Sequence, residues 1–206
     1  MGLQLVQHLI VNLDGSLPAC PNCLYAYILA GNGVFVYGKR PGLEVLVPVM
    51  SCRISGLPEV TPRVDIAQRV PASLLEHALH FSQQVFPDEA LFWFNWIGQW
   101  YLHVPDQQVT NTSAVPCDVH NRAGTSALID LHSHARFSPF FSITDDRDET
   151  GFRIYAVIGN LDKTPTISVR VGMYSHYFNI PAAKVFELPD GMVDIHEQEE
   201  IEHEDQ

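Results

Sequence analysis

Only one stretch of this chain places apolar residues at helical spacing. Leu74, Leu75, Ala78, Leu79, Phe81, Ser82 and Val85 recur every three or four positions, which predicts one amphipathic helix. Elsewhere the apolar residues come in short runs bounded by Gly, Pro or Asn, which is how half-buried strands read. A chain built this way mixes helix and strand in its core. Leu24–Ala30 and Val34–Tyr37, separated by Gly31-Asn32-Gly33, predict a hairpin, and Leu43–Val49 a further strand. Pro58, Pro62 and Pro71 then interrupt regular structure and predict a connecting segment, with a lobe boundary near Ile66–Val70. Pro71 suits the first turn of the helix and Pro87 ends it. Ala90–Trp96 and Gln99–Val104 around Ile97-Gly98 predict a second hairpin, and Ser126–His132, Phe152–Ile158 and Thr166–Tyr174 three more strands. The expected fold class is α/β, with a β-rich accessory lobe over residues 1–70, a main domain over 71–190 and a tail over 191–206.

The chain has 206 residues, and its 46% apolar content is enough to bury a core in the main domain and still supply a small lobe. The formal charge is -12, and Asp194–Gln206 is a block of Glu, Asp and His that predicts a solvated tail. Such a charge repels phosphate backbones, so nucleic acid is excluded as the main partner and a basic protein surface is the complementary one. No apolar run reaches the roughly 18 residues of a membrane span, and Met1–Asp14 does not read as a signal peptide, so a cytoplasmic protein without membrane contact is expected. Four cysteines are too sparse for a disulfide framework and point to a reducing compartment. Cys20-Pro-Asn-Cys23 has the spacing of half a zinc knuckle, but Cys52 and Cys117 are isolated and provide no second pair, so two thiols near a turn are expected there.

Chemistry concentrates between Asp130 and Asp145. His132 and His134 lie two positions apart, so on a strand both imidazoles leave from one face and can grip one ion. Asp145, returned by the intervening loop, completes two imidazoles and a carboxylate. This set leaves one tetrahedral position to water, the arrangement of catalytic zinc.

His132, His134, Ser142 and Asp145 follow the spacing His-x-His-x7-Ser-x2-Asp, which resembles the signature of the JAMM (JAB/MPN) metallopeptidases. The resemblance spans about Pro71–Leu188. It implies an MPN/JAB-type domain, a mixed central sheet flanked by helices in the cytidine-deaminase-like manner, with Zn2+ as cofactor. Pro87-Asp88-Glu89 resembles the family's entry into its catalytic strand, which implies Glu89 as general base on the zinc-activated water. Glu76 is the rival, placed on a solvated helix face, and Asp88 reads as a turn residue. Ser142 is implied as a donor to the developing oxyanion, a role worth about 2.7–4 kcal/mol per donor, or else it caps the turn before Asp145. Two departures stand out, since Ala135 and Phe141 occupy places where the family often has proline.

The run Phe140-Phe141-Ser142 with its following acidic cluster resembles a bacterial and phage branch of the family. There Asp146, Asp148 and Glu149 are expected to begin a helix, at its positive dipole end. The chain also resembles the protein-A members of plasmid cassettes that encode ParB-related and ThiF-related proteins. The activity implied is cleavage of an amide or isopeptide bond next to the C-terminal tail of a ubiquitin-like or sulfur-carrier-like protein, with a ThiF/E1-like enzyme as pathway neighbour. The alternative is an inactive MPN-type scaffold or binding module, although such members usually lose a ligand and this chain keeps them all. Zinc deamination is the third reading, and its His-x-Glu…Pro-Cys-x-x-Cys signature is absent. His77, His80, His103, His120, His176, His196 and His203 read as surface or core residues.

Overall fold

Residues alternate between buried and half-buried along Tyr25–Ala30 (β2), with Ala26, Ile28 and Ala30 inward, so this strand must cover a core on one face. Gly31 and Asn32 then turn the chain into Gly33–Arg40 (β3), as the spacing predicts, and Ala30 pairs with Gly33. The Asn32 amide pairs with both the N–H and the C=O of Val60, imitating a strand neighbour. Around this hairpin lie Val6–Ile10 (β1), Leu43–Ser51 (β4) and Arg63–Ile66 (β5), in the order β1-β2-β3-β4-β5, with β1 parallel to β2 and the rest antiparallel. Phe35, Tyr37, Leu46 and Val60 complete the core with the inward residues of β2. The proline-rich segment expected only to connect therefore contains a strand, because Arg63–Ile66 finds the open edge of β4.

In the computed structural model the described residues are 5–19, 23–118 and 120–196. The chain divides into two compact units, Met1–Ala67 and Gln68–Gln206, within the window expected for the lobe boundary.

The second unit starts with Ala72–Val85 (α1), for which Pro71 is the N-cap residue rather than part of the first turn. Leu91–Trp96 (β6) and Trp100–His103 (β7) form the expected hairpin. A hairpin not anticipated follows, Gln107–Thr110 (β8) with Ser113–Pro116 (β9), and then Arg122–Ser126 (α2). Ile129–Ser133 (β10), Ile143–Asp148 (α3), Phe152–Gly159 (β11), Thr166–Met173 (β12), His176–Asn179 (β13) and Val193–Asp194 (β14) complete the unit. The sheet order is β13-β12-β11-β10-β6-β7, with β14 on β12. The β10–β11 and β12–β14 pairs are parallel and the others antiparallel. The molecule is thus mixed α/β with few helices.

Period-two alternation gives this sheet two chemically different faces. Phe92, Phe94, Ile129, Leu131, Ile154, Ala156, Ile158, Val169 and Val171 are wholly or almost wholly buried on one, where Phe81 of α1 meets Phe92 edge-on. Trp93, Asp130, His132, Tyr155 and Arg170 occupy the other. The short helices α2 and α3 pack on this polar face, and Gly124 of α2 lies so close that an added Cβ would meet the Trp93 ring at 2.6 Å.

Two expectations need correction here. The tail does not begin at residue 191, because Val193 and Asp194 pair with Thr166 and Ile167. Asp194 is buried and accepts the N–H groups of Ala182 and His196. A carboxylate that satisfies buried donors belongs to the core; residues 197–206, with His203, lie outside the described residues. The acidic cluster begins the helix only in part: α3 starts at Ile143, so Asp146 falls in its first turn as expected, together with Asp145, whereas Asp148 ends it and Glu149 is its C-cap.

Candidate metal centre

The site grows from the end of β10. His132 sits within that strand between β6 and β11, and His134 follows one residue past its end, anchored by its N–H to the Ile158 carbonyl at 2.8 Å. The chain then turns sharply through Ala135, at φ 46°, and the Phe137 and Ala135 carbonyls accept Asn160 and Leu161 N–H groups. Gly159 allows this close approach, since a Cβ there would come within 2.2 Å of the Phe137 oxygen. The loop returns at Ser142, the N-cap of α3.

The capping box of α3 sets the third candidate donor. Ser142 Oγ accepts the Asp145 N–H at 3.2 Å, and Asp145 Oδ2 accepts the Ser142 N–H at 2.5 Å. With Oδ2 so engaged, Oδ1 lies 3.6 Å from His132 Nε2. The two Nε2 atoms are 3.1 Å apart, and donor atoms of all three residues fall within 4.8 Å of one another. The structure thus brings together His132, His134 and Asp145.

Protonation states suit an ion. Burial pushes His132 down to about 4, against the pull of the Asp145 charge and helped by His134 and Arg170. Burial also lowers His134, opposed by the Ser138 carbonyl and by Asp145. His134 Nδ1 lies 3.4 Å from the Ser138 carbonyl, so a proton on Nδ1 is held there and the Nε2 lone pair is turned toward His132. Metal binding needs neutral imidazoles and an ionised carboxylate. Nitrogen ligands on a tetrahedral zinc lie roughly 3.3 Å apart, close to the spacing observed between the two rings. The donor set therefore fits a divalent ion, without by itself selecting zinc over other first-row metals.

Glu89 joins the site through strand register. His132 pairs with Leu91, and Ser133 exchanges contacts with Ala90, accepting its N–H on Oγ and giving its own N–H to its carbonyl. Glu89 lies two residues before Leu91, so alternation along this segment puts it on the same face as Leu91 and its partner His132. Its N–H is held by the Thr110 carbonyl of the β8–β9 hairpin at 2.8 Å, and Gln107 binds both the N–H and the C=O of Leu91. Glu89 is buried, and burial together with the Asp145 charge pushes its carboxyl up to about 7. Glu76, by contrast, lies exposed on α1.

Ser142 serves here as the helix cap, so its oxygen is engaged and only its own proton is left to donate. The aromatic loop borders the site. Phe140 meets His134 edge-on at 4.8 Å and is half exposed, as are Phe137 and, more fully, Ile143. Sequence reasoning did not find Gln107 or Arg170, which act on the site from other strands and carry no local motif, and it gave no role to Ser133, which lies between the two histidines on β10. Cys23 donates to the Tyr25 carbonyl at 3.2 Å, while Cys52 and Cys117 are exposed; Cys20 lies outside the described residues. Metal-ligand clustering among the described residues is confined to the three residues above.

No protein-family model matches this chain, and no curated protein does. Among solved structures the chain is similar to the solution structure of protein DSY2949 from Desulfitobacterium hafniense. The two share 16% identity over 58% of this chain and 91% of that one, with a TM-score of 0.37. That likeness is too slight to carry any conclusion about function. No helix among the described residues is long and apolar enough to cross a membrane.

Proposed function

We propose that residues 68–206 form a zinc-dependent metallopeptidase of the JAMM type with an MPN/JAB fold. The observation that carries this reading is the convergence of His132, His134 and Asp145 at the end of β10, with the buried carboxyl of Glu89 near enough to feel the Asp145 charge. His132, His134 and Asp145 would hold the ion. When bound, zinc acidifies water and polarises a carbonyl.

The chain's own residues supply the rest. In the metal-free site burial and the Asp145 charge hold the Glu89 carboxyl up at about 7; beside a bound dication its ionised form would be favoured, and that carboxylate can accept a proton from the attacking water and return it to the leaving amine nitrogen. Oδ2 of Asp145 stays on the Ser142 N–H, which keeps Oδ1 directed at the site. The Ser142 O–H proton is the group available to a developing oxyanion. Phe140, beside His134, keeps one side of the site apolar and limits water there.

The substrate class follows from the resemblance of the His132–Asp145 motif. It is an amide or isopeptide bond next to the C-terminal tail of a ubiquitin-like or sulfur-carrier-like protein, with a ThiF/E1-like enzyme as neighbour and the cytoplasm as compartment. The test is elemental analysis of the purified full chain, followed by cleavage of a ubiquitin-like or sulfur-carrier protein extended at its C-terminus. About one zinc per chain, lost in the His132→Ala, His134→Ala double variant, is expected. Glu89→Gln should keep the metal and abolish turnover. A folded wild type that takes up no zinc would instead support the scaffold reading, and turnover by Glu89→Gln at the wild-type rate would remove Glu89 from the mechanism.

A further inference from the structure

We infer that Arg170 is a positioning residue for the metal centre: it fixes the short helix α3 against the sheet and so sets where the Asp145 carboxylate stands relative to His132. This inference rests on the reading of His132, His134 and Asp145 as ligands.

Helix α3 has six residues, too few to hold itself in water. Its capping box fixes its first turn internally but does not attach it to the strand that carries His132. Arg170 makes that attachment from β12. Its Nη1 donates to Asp146 Oδ1 at 2.7 Å, while Nε and Nη2 both donate to Glu149 Oε2, at 2.8 and 2.5 Å. One guanidinium therefore grips the residue directly after Asp145 and the residue that closes the helix.

Its two faces are also occupied. Phe141, the neighbour of Ser142, lies 3.9 Å from the guanidinium carbon, and Tyr177 of β13 lies 4.0 Å from it. The Tyr177 O–H is shared between the Asp146 and Glu149 carbonyls, at 2.8 and 3.0 Å. Every residue from Phe141 to Glu149 thus belongs to a segment held at both ends by the β12–β13 hairpin.

Arg170 is only 5% exposed. Burying an ion pair roughly cancels its own attraction through lost hydration, so such a pair is a poor source of stability and a good source of fixed geometry. Lysine keeps the charge but cannot present a planar fork to two carboxylates while lying between two rings.

The experiment measures Zn2+ affinity by chelator competition and the visible spectrum of the Co2+-loaded full chain. It compares wild type, Arg170→Lys, Tyr177→Phe and, as reference for an ion lacking its carboxylate, Asp145→Ala. Arg170→Lys is expected to bind Zn2+ about 10- to 100-fold more weakly, the usual cost of losing a group that orients a ligand. Its Co2+ spectrum should move toward that of Asp145→Ala. Tyr177→Phe, which deletes one hydroxyl and keeps the ring, should shift both readouts less in the same direction, and it decides the matter if Arg170→Lys does not fold. Wild-type affinity and an unchanged spectrum in the folded variants, whatever their melting temperatures, would overturn the positioning role alone. A wild type that takes up neither metal would overturn the ligand reading itself, and the positioning role with it.

Discussion

Buried beside the Asp145 charge, the Glu89 carboxyl keeps its proton to about 7, whereas the same group in the unfolded chain loses it near 4.5. The folded metal-free protein therefore binds more protons than the unfolded chain between those values, and stability falls as pH rises through that window. His132 does the opposite. Its folded value near 4 lies below the ordinary 6.5, so the unfolded chain holds the extra proton and stability rises with pH between them. The two slopes oppose one another over most of the acid range, and Glu89→Gln separates them. In denaturant titrations of the metal-free protein, wild type should lose stability relative to Glu89→Gln between about pH 4.5 and 7 and hold a constant difference above it. A difference that stays flat across the window would mean that Glu89 is solvated in the folded state. The candidate donors His132 and His134 were legible from spacing, because two histidines at alternate positions must share a strand face. Glu89 was legible through its resemblance to a motif, yet its burial beside the Asp145 charge comes from the tertiary structure.

Helix α3 shows how much an element can owe to its surroundings. Its capping box is readable from Ser142 and Asp145 at three-residue spacing, and replacing a capping Ser by Ala costs about 1 kcal/mol in general. Ser142→Ala is expected to lower stability by about that amount and to weaken zinc binding, because the Asp145 N–H loses its acceptor and the first turn loosens. Unfolding midpoints in urea with and without zinc check both parts; an equal zinc-induced shift in variant and wild type would separate the cap from the metal. The helix start was misplaced in the sequence reading because acidic residues suit any first turn, and Asp146, Asp148 and Glu149 offered the same charge as Asp145. What distinguishes Glu149 is Arg170, which is 21 residues away in the chain and invisible to local pattern. Strand β5 and the β8–β9 hairpin were missed for a related reason. They are short and half polar, and they exist because β4 and the Glu89 segment offer open backbone groups to them.

At the scale of the whole molecule, the three candidate donors and the Glu89 carboxyl belong to the second unit, and its sheet separates an apolar face from a polar one that bears the site. Closure of that sheet extends further along the chain than composition suggests. Asp194→Ala leaves the Ala182 N–H without its buried acceptor, at a cost of about 1–3 kcal/mol, and the melting temperature should fall accordingly. A chain ending before Val193 should fall at least as far, since it also loses β14, whereas a truncation with an unchanged melting temperature would return Asp194 to a solvated tail. Composition pointed the other way because a run of Asp, Glu and His is usually hydrated, and nothing local marks the first carboxylate of the run as a partner for a backbone N–H twelve residues earlier. The sequence by itself pointed to the coarse α/β class of the fold and to the donor set of the candidate metal centre. These depend on periodicity and short spacing, which are properties of neighbouring residues. Only the tertiary structure decided that Glu89 is buried beside the Asp145 charge, that Arg170 grips the helix of Asp145 and that Asp194 is core. Each of these depends on strand register and on burial, through which residues distant in the chain come to share one environment.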